Sequence, residues 1–262
     1  MCGIGGIMAH GANAPRPCER ELLAIRDHMR ARGPDGAGLW RAPHGETLLA
    51  HRRLSILDLS NRAAQPMASA TGRHVVVFNG EIYNYRELRR ELEATGSRFV
   101  TDCDTEILLH LFARDGLAML RRLRGMFAFA LYDADARRLH LARDTYGIKP
   151  LYYADDGESF RFASQVKALL AGGAVDRRLD PAGVAGFCLL GTPPEPFTCH
   201  EAIRALPAGH MLTVDASGVG APRAYETIPQ ILAETRSAPA GDPLPVLRAA
   251  LRDSVKAHLL AD

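Results

Sequence analysis

The chain has 262 residues, 47% of them hydrophobic and 24% charged, and this composition excludes an intrinsically disordered protein. Its 32 basic and 30 acidic side chains give a formal net charge of +2, which indicates neither a nucleic-acid partner nor a membrane surface. The five cysteines form no C-x-x-C pair, which argues against a disulfide framework or a zinc site and favours a reducing, cytoplasmic location.

The first half of the chain alternates apolar runs with amphipathic segments. β-Branched and aromatic runs predict strands, apolar residues spaced three or four apart predict helices, and glycine or proline clusters end both. In chain order these patterns predict strands at 2–8, 48–50, 54–59 and 74–78, and helices at 19–30, 85–94 and 105–114. The loop R-G-P-D-G follows the first helix, and the sequence F-N-G-E-I-Y-N continues directly from the strand at 74–78.

The second half begins with closely spaced strands that are separated only by turn residues. They are predicted at 126–133, 139–144, 151–154 and 160–163, with short helices at 166–170 and 179–187 and a strand pair at 208–216. This order favours antiparallel sheets with helices packed outside them. A segment rich in proline and alanine follows, and an amphipathic helix is predicted at 245–260. Its apolar face carries Val246, Leu247, Leu251, Val255 and Leu259.

Cys2 directly follows the initiator methionine, so removal of Met1 would place the α-amine and the thiol on one residue. The ordinary pKa values of these groups, about 7.7–8.0 and about 8.5, are close enough for the amine to accept the thiol proton. Such a residue is a nucleophile that carries its own base. Taken alone, a cysteine in a predicted first strand is more typical of a buried apolar position.

Acyl transfer also needs hydrogen-bond donors where negative charge develops, and Asn79 and Gly80 offer a side-chain amide and an unobstructed backbone N–H. On its own, the pair N-G predicts a hairpin turn. An amino-acid substrate further needs an arginine for its α-carboxylate and carboxylates for its α-ammonium. Arg53, Glu81 and Asp104 are suitable in kind, although each alone is typical of a solvated surface charge.

Seven sequence motifs occur in one order between residues 2 and 153, and together they identify a family. They are M-C-G-I-x-G-I, R-G-P-D, H-x-R-L-S-I-x-D, Q-P-M, F-N-G-E-I-Y-N, R-G-M-F-A-F-A-L-Y-D and R-D-x-x-G-x-K-P-L-Y-Y. The run closely resembles the class II glutamine amidotransferase domains of the glutamine-hydrolysing asparagine synthetase B family, which are N-terminal-nucleophile (Ntn) hydrolases. The resemblance continues more loosely through F-A-S-Q-V-K-A and L-P-A-G-H and covers essentially the whole chain.

The resemblance implies a role for each matching residue. Cys2 would be the nucleophile, with its own α-amine as base, and Asn79 and Gly80 would form the oxyanion hole and contact the substrate. Arg53 would bind the glutamine α-carboxylate, and Glu81 and Asp104 its α-ammonium. A loop that closes over the glutamine would consist of Arg32, Gly33, Pro34 and Asp35. The implied fold is an α+β, four-layer α/β/β/α sandwich of antiparallel sheets, with the nucleophile at an edge of the sheets.

The same resemblance implies how the chain is divided. Residues 2–215 would form the amidotransferase domain, 216–244 a linker, and 245–262 the first helix of an asparagine-synthetase (ATP-pyrophosphatase) domain. The sequence contains no S-G-G-x-D-S pyrophosphate loop, so no cofactor and no metal is expected in this chain, whereas ATP and Mg²⁺ are implied for the synthetase domain. The expected partners are L-glutamine and a synthetase domain or separate subunit, with the apolar face of the terminal helix as a candidate homodimer surface.

Three functions remain open from the sequence. The chain could deliver ammonia from glutamine to an ATP-using partner that amidates aspartate. It could instead be a stand-alone glutaminase, or serve another acceptor such as a sugar acid. As a third alternative, it could be a regulatory or interaction module without catalysis, although the presence of every motif residue of the site argues against that alternative. The hypothesis carried forward is the first: a glutamine amidotransferase that works through a Cys2 thioester.

Overall fold

The computed structural model describes residues 1–11, 13–55, 60–235 and 242–259. The helices in these ranges are α1 (Glu19–His28), α2 (Tyr85–Ala94), α3 (Thr105–Asp115), α4 (Val166–Gly172), α5 (Pro181–Leu190), α6 (Ile228–Thr235) and α7 (Pro243–His258). The strands are β1 (Gly3–Ala9), β2 (Gly36–Arg41), β3 (Thr47–Arg53), β4 (Met67–Ala68), β5 (His74–Ile82), β6 (Gly125–Asp133), β7 (Arg138–Arg143), β8 (Tyr152–Asp155), β9 (Ser159–Ala163), β10 (Arg204–Ala205), β11 (His210–Asp215), β12 (Gly218–Val219) and β13 (Arg223–Ala224).

The strands form two antiparallel sheets. The first has the order β10-β8-β9-β1-β3-β2, and the second has the order β12-β11-β7-β6-β5-β4, with β13 also paired to β11. β1 is therefore paired on both sides, with β3 and with β9. β5 and β6 form the longest ladder, from His74 opposite Asp133 to Ile82 opposite Gly125.

Three apolar clusters define four layers. Between the sheets, Ile4 and Leu49 of the first sheet meet Val75 and Val77 of the second. The opposite face of β5 carries Val76 and Phe78, which pack against α2 and α3. On the outer face of the first sheet, Ile7, Leu48 and Ala50 pack against α1 and α4. Because successive strand residues point to opposite faces, alternate residues of one strand supply two different cores. The predicted α/β/β/α sandwich of antiparallel sheets is confirmed.

Most predicted elements are present within one to three residues of their predicted bounds, but several differ. β5 continues through the F-N-G-E-I sequence, so Asn79 and Gly80 lie inside a strand and not in a hairpin turn. In the predicted strand at 54–59, Leu54 and Ser55 belong to no strand, and 56–59 lie outside the described residues. β2 was not predicted. Cys2 directly precedes β1, which is an interior strand. It therefore lies at one end of the strands of its sheet and not on an edge strand.

The predicted linker at 216–244 contains regular structure. β12, β13 and α6 fall within it, and the Tyr225 side chain is buried, with its hydroxyl donating to the backbone oxygen of Arg143 at 2.8 Å. The terminal helix is present as α7. The division into domains at this position stays a prediction.

Within the described ranges, no helix combines the length and apolarity needed to cross a membrane.

Candidate active site

A cavity of about 250 Å³ brings the six core residues predicted for the site together. Its walls include Cys2, Arg53, Asn79, Gly80, Glu81 and Asp104. These residues come from four distant parts of the chain: the residue before β1, the end of β3, the middle of β5, and the residue before α3. The cavity therefore lies where the first sheet, the second sheet and a helix start meet, and folding brings together residues that are up to 102 positions apart.

The Cys2 thiol lies half-buried against the start of the segment after β3. Its Sγ atom accepts a hydrogen bond from the Leu54 backbone N–H at 3.4 Å and lies 3.6 Å from the Leu54 carbonyl oxygen. Burial raises the pKa of the thiol, and the nearby Asp104 adds to this, whereas Arg53 and the terminal amine act in the opposite direction. Burial also lowers the pKa of the terminal amine, here carried by Met1. A lowered pKa favours the neutral form of the amine, and the neutral amine can accept the proton of the nearby thiol.

Asn79 is only 1% exposed, and within the described part of the chain its Nδ2 atom has no hydrogen-bond acceptor. A buried amide donor without a partner costs free energy of about 1–3 kcal/mol, so its retention points to a function. Gly80, the next residue, lies so close to β6 that a Cβ atom would come within 2.3 Å of the Met126 backbone oxygen. The site therefore offers one free side-chain donor beside a position that only glycine can occupy.

Two carboxylates line the same wall. Asp104 is 5% exposed, and its Oδ2 atom accepts a hydrogen bond from the Ile82 backbone N–H at 2.9 Å instead of capping α3. Burial raises the pKa of Asp104 to about 7, and the charge of Glu81 contributes. Burial likewise raises the pKa of Glu81, which Lys149 opposes. A cation placed between the two carboxylates would favour the charged form of both.

Arg53 lines the cavity and donates from Nη1 to the Ser60 backbone oxygen at 2.8 Å. The predicted glutamine loop lies beside the nucleophile. Arg32 Nε donates to the Cys2 backbone oxygen at 3.0 Å, and Asp35 Oδ2 accepts from the Ser55 N–H at 2.9 Å. The residue types of this site suit an amino-acid ligand, and among the described residues no group of three or more His, Cys, Asp or Glu is arranged to hold a metal ion.

Gln65 and Lys149 are among the residues that line the cavity but were not predicted for the site. Gln65, from the Q-P-M motif, accepts a hydrogen bond from the Phe78 N–H at 2.6 Å and donates to the Thr105 hydroxyl at 3.2 Å. Lys149, from the R-D-x-x-G-x-K-P-L-Y-Y motif, is 7% exposed. Both motifs were recognised in the sequence, but composition and spacing do not indicate that these side chains face the nucleophile.

Comparison with known proteins gives consistent matches. A family model described as a glutamine amidotransferase domain matches residues 1–226. A putative glutamine-hydrolyzing asparagine synthetase of Mycobacterium bovis is 36% identical over 278 residues, covering 100% of this chain and 42% of the relative. The glutamine-hydrolyzing asparagine synthetase 3 of Bacillus subtilis is 31% identical over 265 residues, with the same two coverages. The chain thus spans less than half the length of these relatives.

The fold is also found among solved structures. A glutamine phosphoribosylpyrophosphate (PRPP) amidotransferase from B. subtilis superimposes with a TM-score of 0.64 at 21% sequence identity. The match covers 86% of this chain and 49% of that chain. At this level of identity, the likeness shows the two-sheet fold alone.

Proposed function

Because the chain belongs to the glutamine amidotransferase domain family, as a class II enzyme related to the amidotransferase domain of asparagine synthetases, we propose that it hydrolyses the side-chain amide of L-glutamine through a Cys2 thioester. The observation that carries the proposal is the buried Nδ2 atom of Asn79, which has no acceptor among the residues that the structure describes and lies in the wall of the cavity that also contains the Cys2 thiol. An oxyanion hole needs such a donor, kept ready before the substrate arrives.

The proposed reaction has two halves. After removal of Met1, the Cys2 α-amine takes the thiol proton, and Sγ attacks the side-chain carbonyl carbon of glutamine. The C–N bond then breaks, and the proton passes to the leaving nitrogen, so that ammonia and a γ-glutamyl thioester form. Water next attacks the thioester with the amine as base, and glutamate leaves as the C–S bond breaks and the thiol is re-formed. In both tetrahedral intermediates, Asn79 Nδ2 and the Gly80 N–H would stabilise the oxyanion.

The remaining cavity residues would hold the amino-acid end of glutamine. Arg53 would bind the α-carboxylate, and Glu81 and Asp104 the α-ammonium, which supplies the cation that the two carboxylates lack. Arg32, Gly33, Pro34 and Asp35 would close over the bound substrate. A cavity of about 250 Å³ suits a ligand as small as one amino acid, since sites for larger ligands occupy about 300–1,000 Å³.

The ammonia would be consumed by a synthetase domain, either covalently attached or as a separate subunit, that amidates aspartate. ATP and Mg²⁺ would be bound by that domain and not by residues of this chain. The support for this part is the length of the asparagine synthetases that the chain resembles, since the match covers 42% of each.

The test is the release of glutamate from glutamine by the purified chain, with intact-mass analysis of the same sample to record loss of Met1. Cys2→Ala should abolish glutamate release, whereas Cys18→Ala, which alters an exposed cysteine before α1, should not change it. In unmodified protein, brief mixing with glutamine followed by acid should trap a γ-glutamyl adduct on the peptide that contains Cys2. Glutamate release that survives in Cys2→Ala would overturn the thioester mechanism.

A further inference from the structure

Lys149 is a buried cation in the wall of the active-site cavity, and its main chain is tightly held. Its backbone N–H donates to Asp144 Oδ2 at 3.0 Å, and its carbonyl oxygen accepts from Arg143 Nε at 2.8 Å. Asp144 is 0% exposed and also accepts from the backbone N–H groups of Phe127 and Ile148. The position from which the Lys149 side chain enters the cavity is therefore set by a rigid loop.

The Lys149 ammonium group has no direct partner among the described residues. Within the part of the chain that the structure describes, no acceptor lies within hydrogen-bond distance of Nζ and no carboxylate lies within 4.0 Å of it. Burial lowers the pKa of Lys149, while the charges of Glu81 and Cys2 partly offset this. The side chain is mostly buried, but Nζ is not among the fully buried unpaired atoms of the described residues, so the ammonium group faces the cavity. A cation there is placed to serve an anion that forms in the cavity during function.

Two anions are candidates, the Glu81 carboxylate and the Cys2 thiolate. Glu81 is the charge that acts most strongly on Lys149, and Lys149 in turn lowers the pKa of Glu81. Under the proposed function, however, Glu81 also receives the α-ammonium of the substrate, so its need for a cation is met when glutamine is bound. The thiolate keeps its need for a cation, because burial raises the pKa of Cys2 and Asp104 raises it further. Charged groups close enough to influence the nucleophile, its terminal amine or Lys149 are Arg32, Asp35, Arg53, Glu81, Asp104 and Asp144. Three of the four acids among them, Glu81, Asp104 and Asp144, lie at or near the cavity wall, so a cation beside them offsets an environment that disfavours the thiolate.

We propose that the Lys149 ammonium group stabilises the anionic form of Cys2, so that Lys149 is a charge-providing residue of the glutaminase site. The inference rests on the proposed function. It assigns Lys149 to activation of the nucleophile rather than to binding of glutamine. Lys149 also lowers the pKa of the terminal amine that Met1 carries. The two effects are distinct, since the first favours the thiolate after proton transfer and the second favours the neutral amine before it accepts the thiol proton.

The experiment compares Lys149→Met, which keeps the length and loses the charge, with Lys149→Arg, which keeps the charge. The rate at which iodoacetamide alkylates Cys2 is followed against pH by mass analysis of the Cys2 peptide, because the exposed Cys18 and Cys188 also react. In Lys149→Met the alkylation profile should move to higher pH by about one unit, and kcat for glutamine should fall about tenfold, with KM nearly unchanged. Lys149→Arg should restore most of both.

Other results would overturn the inference. An unchanged alkylation profile in Lys149→Met, or a raised KM with kcat preserved, would assign Lys149 to Glu81 and substrate binding. Thermal unfolding of each variant identifies a folding defect, and Lys149→Gln serves as a second neutral variant if the methionine variant does not fold. Alkylation needs no glutamine turnover, so a chain that fails to hydrolyse glutamine would refute the proposed function while this measurement still decides the role of Lys149.

Discussion

Asn79 combines a structural cost with a position beside the nucleophile. Its Nδ2 atom is buried without an acceptor among the described residues, so removing it should not weaken the fold. We expect Asn79→Ala to lower kcat for glutamine about 10²–10³-fold with KM little changed, because the donor acts on the oxyanion and not on the ground state. The free energy of unfolding should change by less than about 1 kcal/mol. Steady-state glutaminase assays and urea unfolding measure the two quantities.

Asp104 likewise combines a cost in stability with a place in the wall of the active-site cavity. Burial raises its pKa to about 7, whereas the unfolded chain releases this proton near pH 4, so the folded state binds the extra proton between these values. Stability therefore falls as pH rises from about 4 to about 7, and above about pH 7 the full cost of the charge is present. We expect Asp104→Asn to raise the free energy of unfolding at about pH 8, on the order of 1–3 kcal/mol.

The control for Asp104 is the same comparison at about pH 5, where the gain should be much smaller because the wild-type carboxyl is already protonated. The variant should also bind glutamine poorly, and in the wild-type protein KM for glutamine should rise as pH falls below about 7, since the α-ammonium needs the ionised carboxylate. An equal gain in stability at both pH values would show that the buried charge is not its cause.

At the scale of elements, the Gln65 side chain continues the hydrogen bonding along β5 beyond the two residues that pair with β4. β4 pairs only Met67 and Ala68 with β5, and Pro66 has no N–H with which to continue the ladder. The Gln65 side chain accepts the Phe78 N–H instead. We expect Gln65→Leu to lower the free energy of unfolding by about 1–3 kcal/mol, because it leaves this N–H unpaired. Thr105→Val, which removes only the other end of the bridge, should cost less in the same urea titration.

The elements whose bounds were predicted well have a long and continuous sequence pattern. β6 and α2 have uninterrupted apolar runs or clear helical spacing, and their bounds were predicted to within one residue. β2 contains two glycines in six residues, which weakens the signal of its alternating pattern. β12 and β13 have two residues each and exist only through their pairing with β11. Such strands are defined by tertiary contacts, which a local pattern does not contain.

The site was predictable through its motifs more than through its chemistry. Cys2, Arg53 and Asn79 are each ordinary when taken alone, and only the order of the seven motifs placed them together, whereas Asp104 lies outside these motifs and was assigned through the wider resemblance. The resemblance did not indicate which motif side chains face the cavity, because that depends on how two sheets meet. Lys149 and Gln65 belong to recognised motifs, yet their place in the cavity wall became visible only in the folded chain.

At the scale of the whole molecule, α7 contacts the rest of the chain through Asp253 and His258. Asp253 forms an ion pair with Arg124, and the His258 ring lies 4.8 Å from the Tyr83 ring, two residues from Glu81. No residue of α7 is buried. Its apolar residues are more than half exposed, and they are Leu244, Val246, Leu247, Leu251 and Val255. Leu244, Leu247, Leu251 and Val255 recur at spacings of three and four and share one side of the helix, whereas Val246, which was predicted on the same face, lies on the other side. An exposed apolar surface of this kind is typical of a region that binds a partner.

We expect the isolated chain to bind apolar dyes and to self-associate through this apolar face of α7. We also expect a synthetase domain to cover the same face. The double variant Leu247→Glu with Leu251→Glu should lose dye fluorescence and sediment as a monomer, because each carboxylate makes burial of the face unfavourable. Arg252→Glu changes charge on the same helix without altering the apolar residues and should keep both properties. Glutaminase turnover should persist in both variants, since none of the three substituted positions lines the cavity. Sedimentation of the unmodified chain as a monomer that binds no dye would contradict the expectation, and the helix would then need no covering partner.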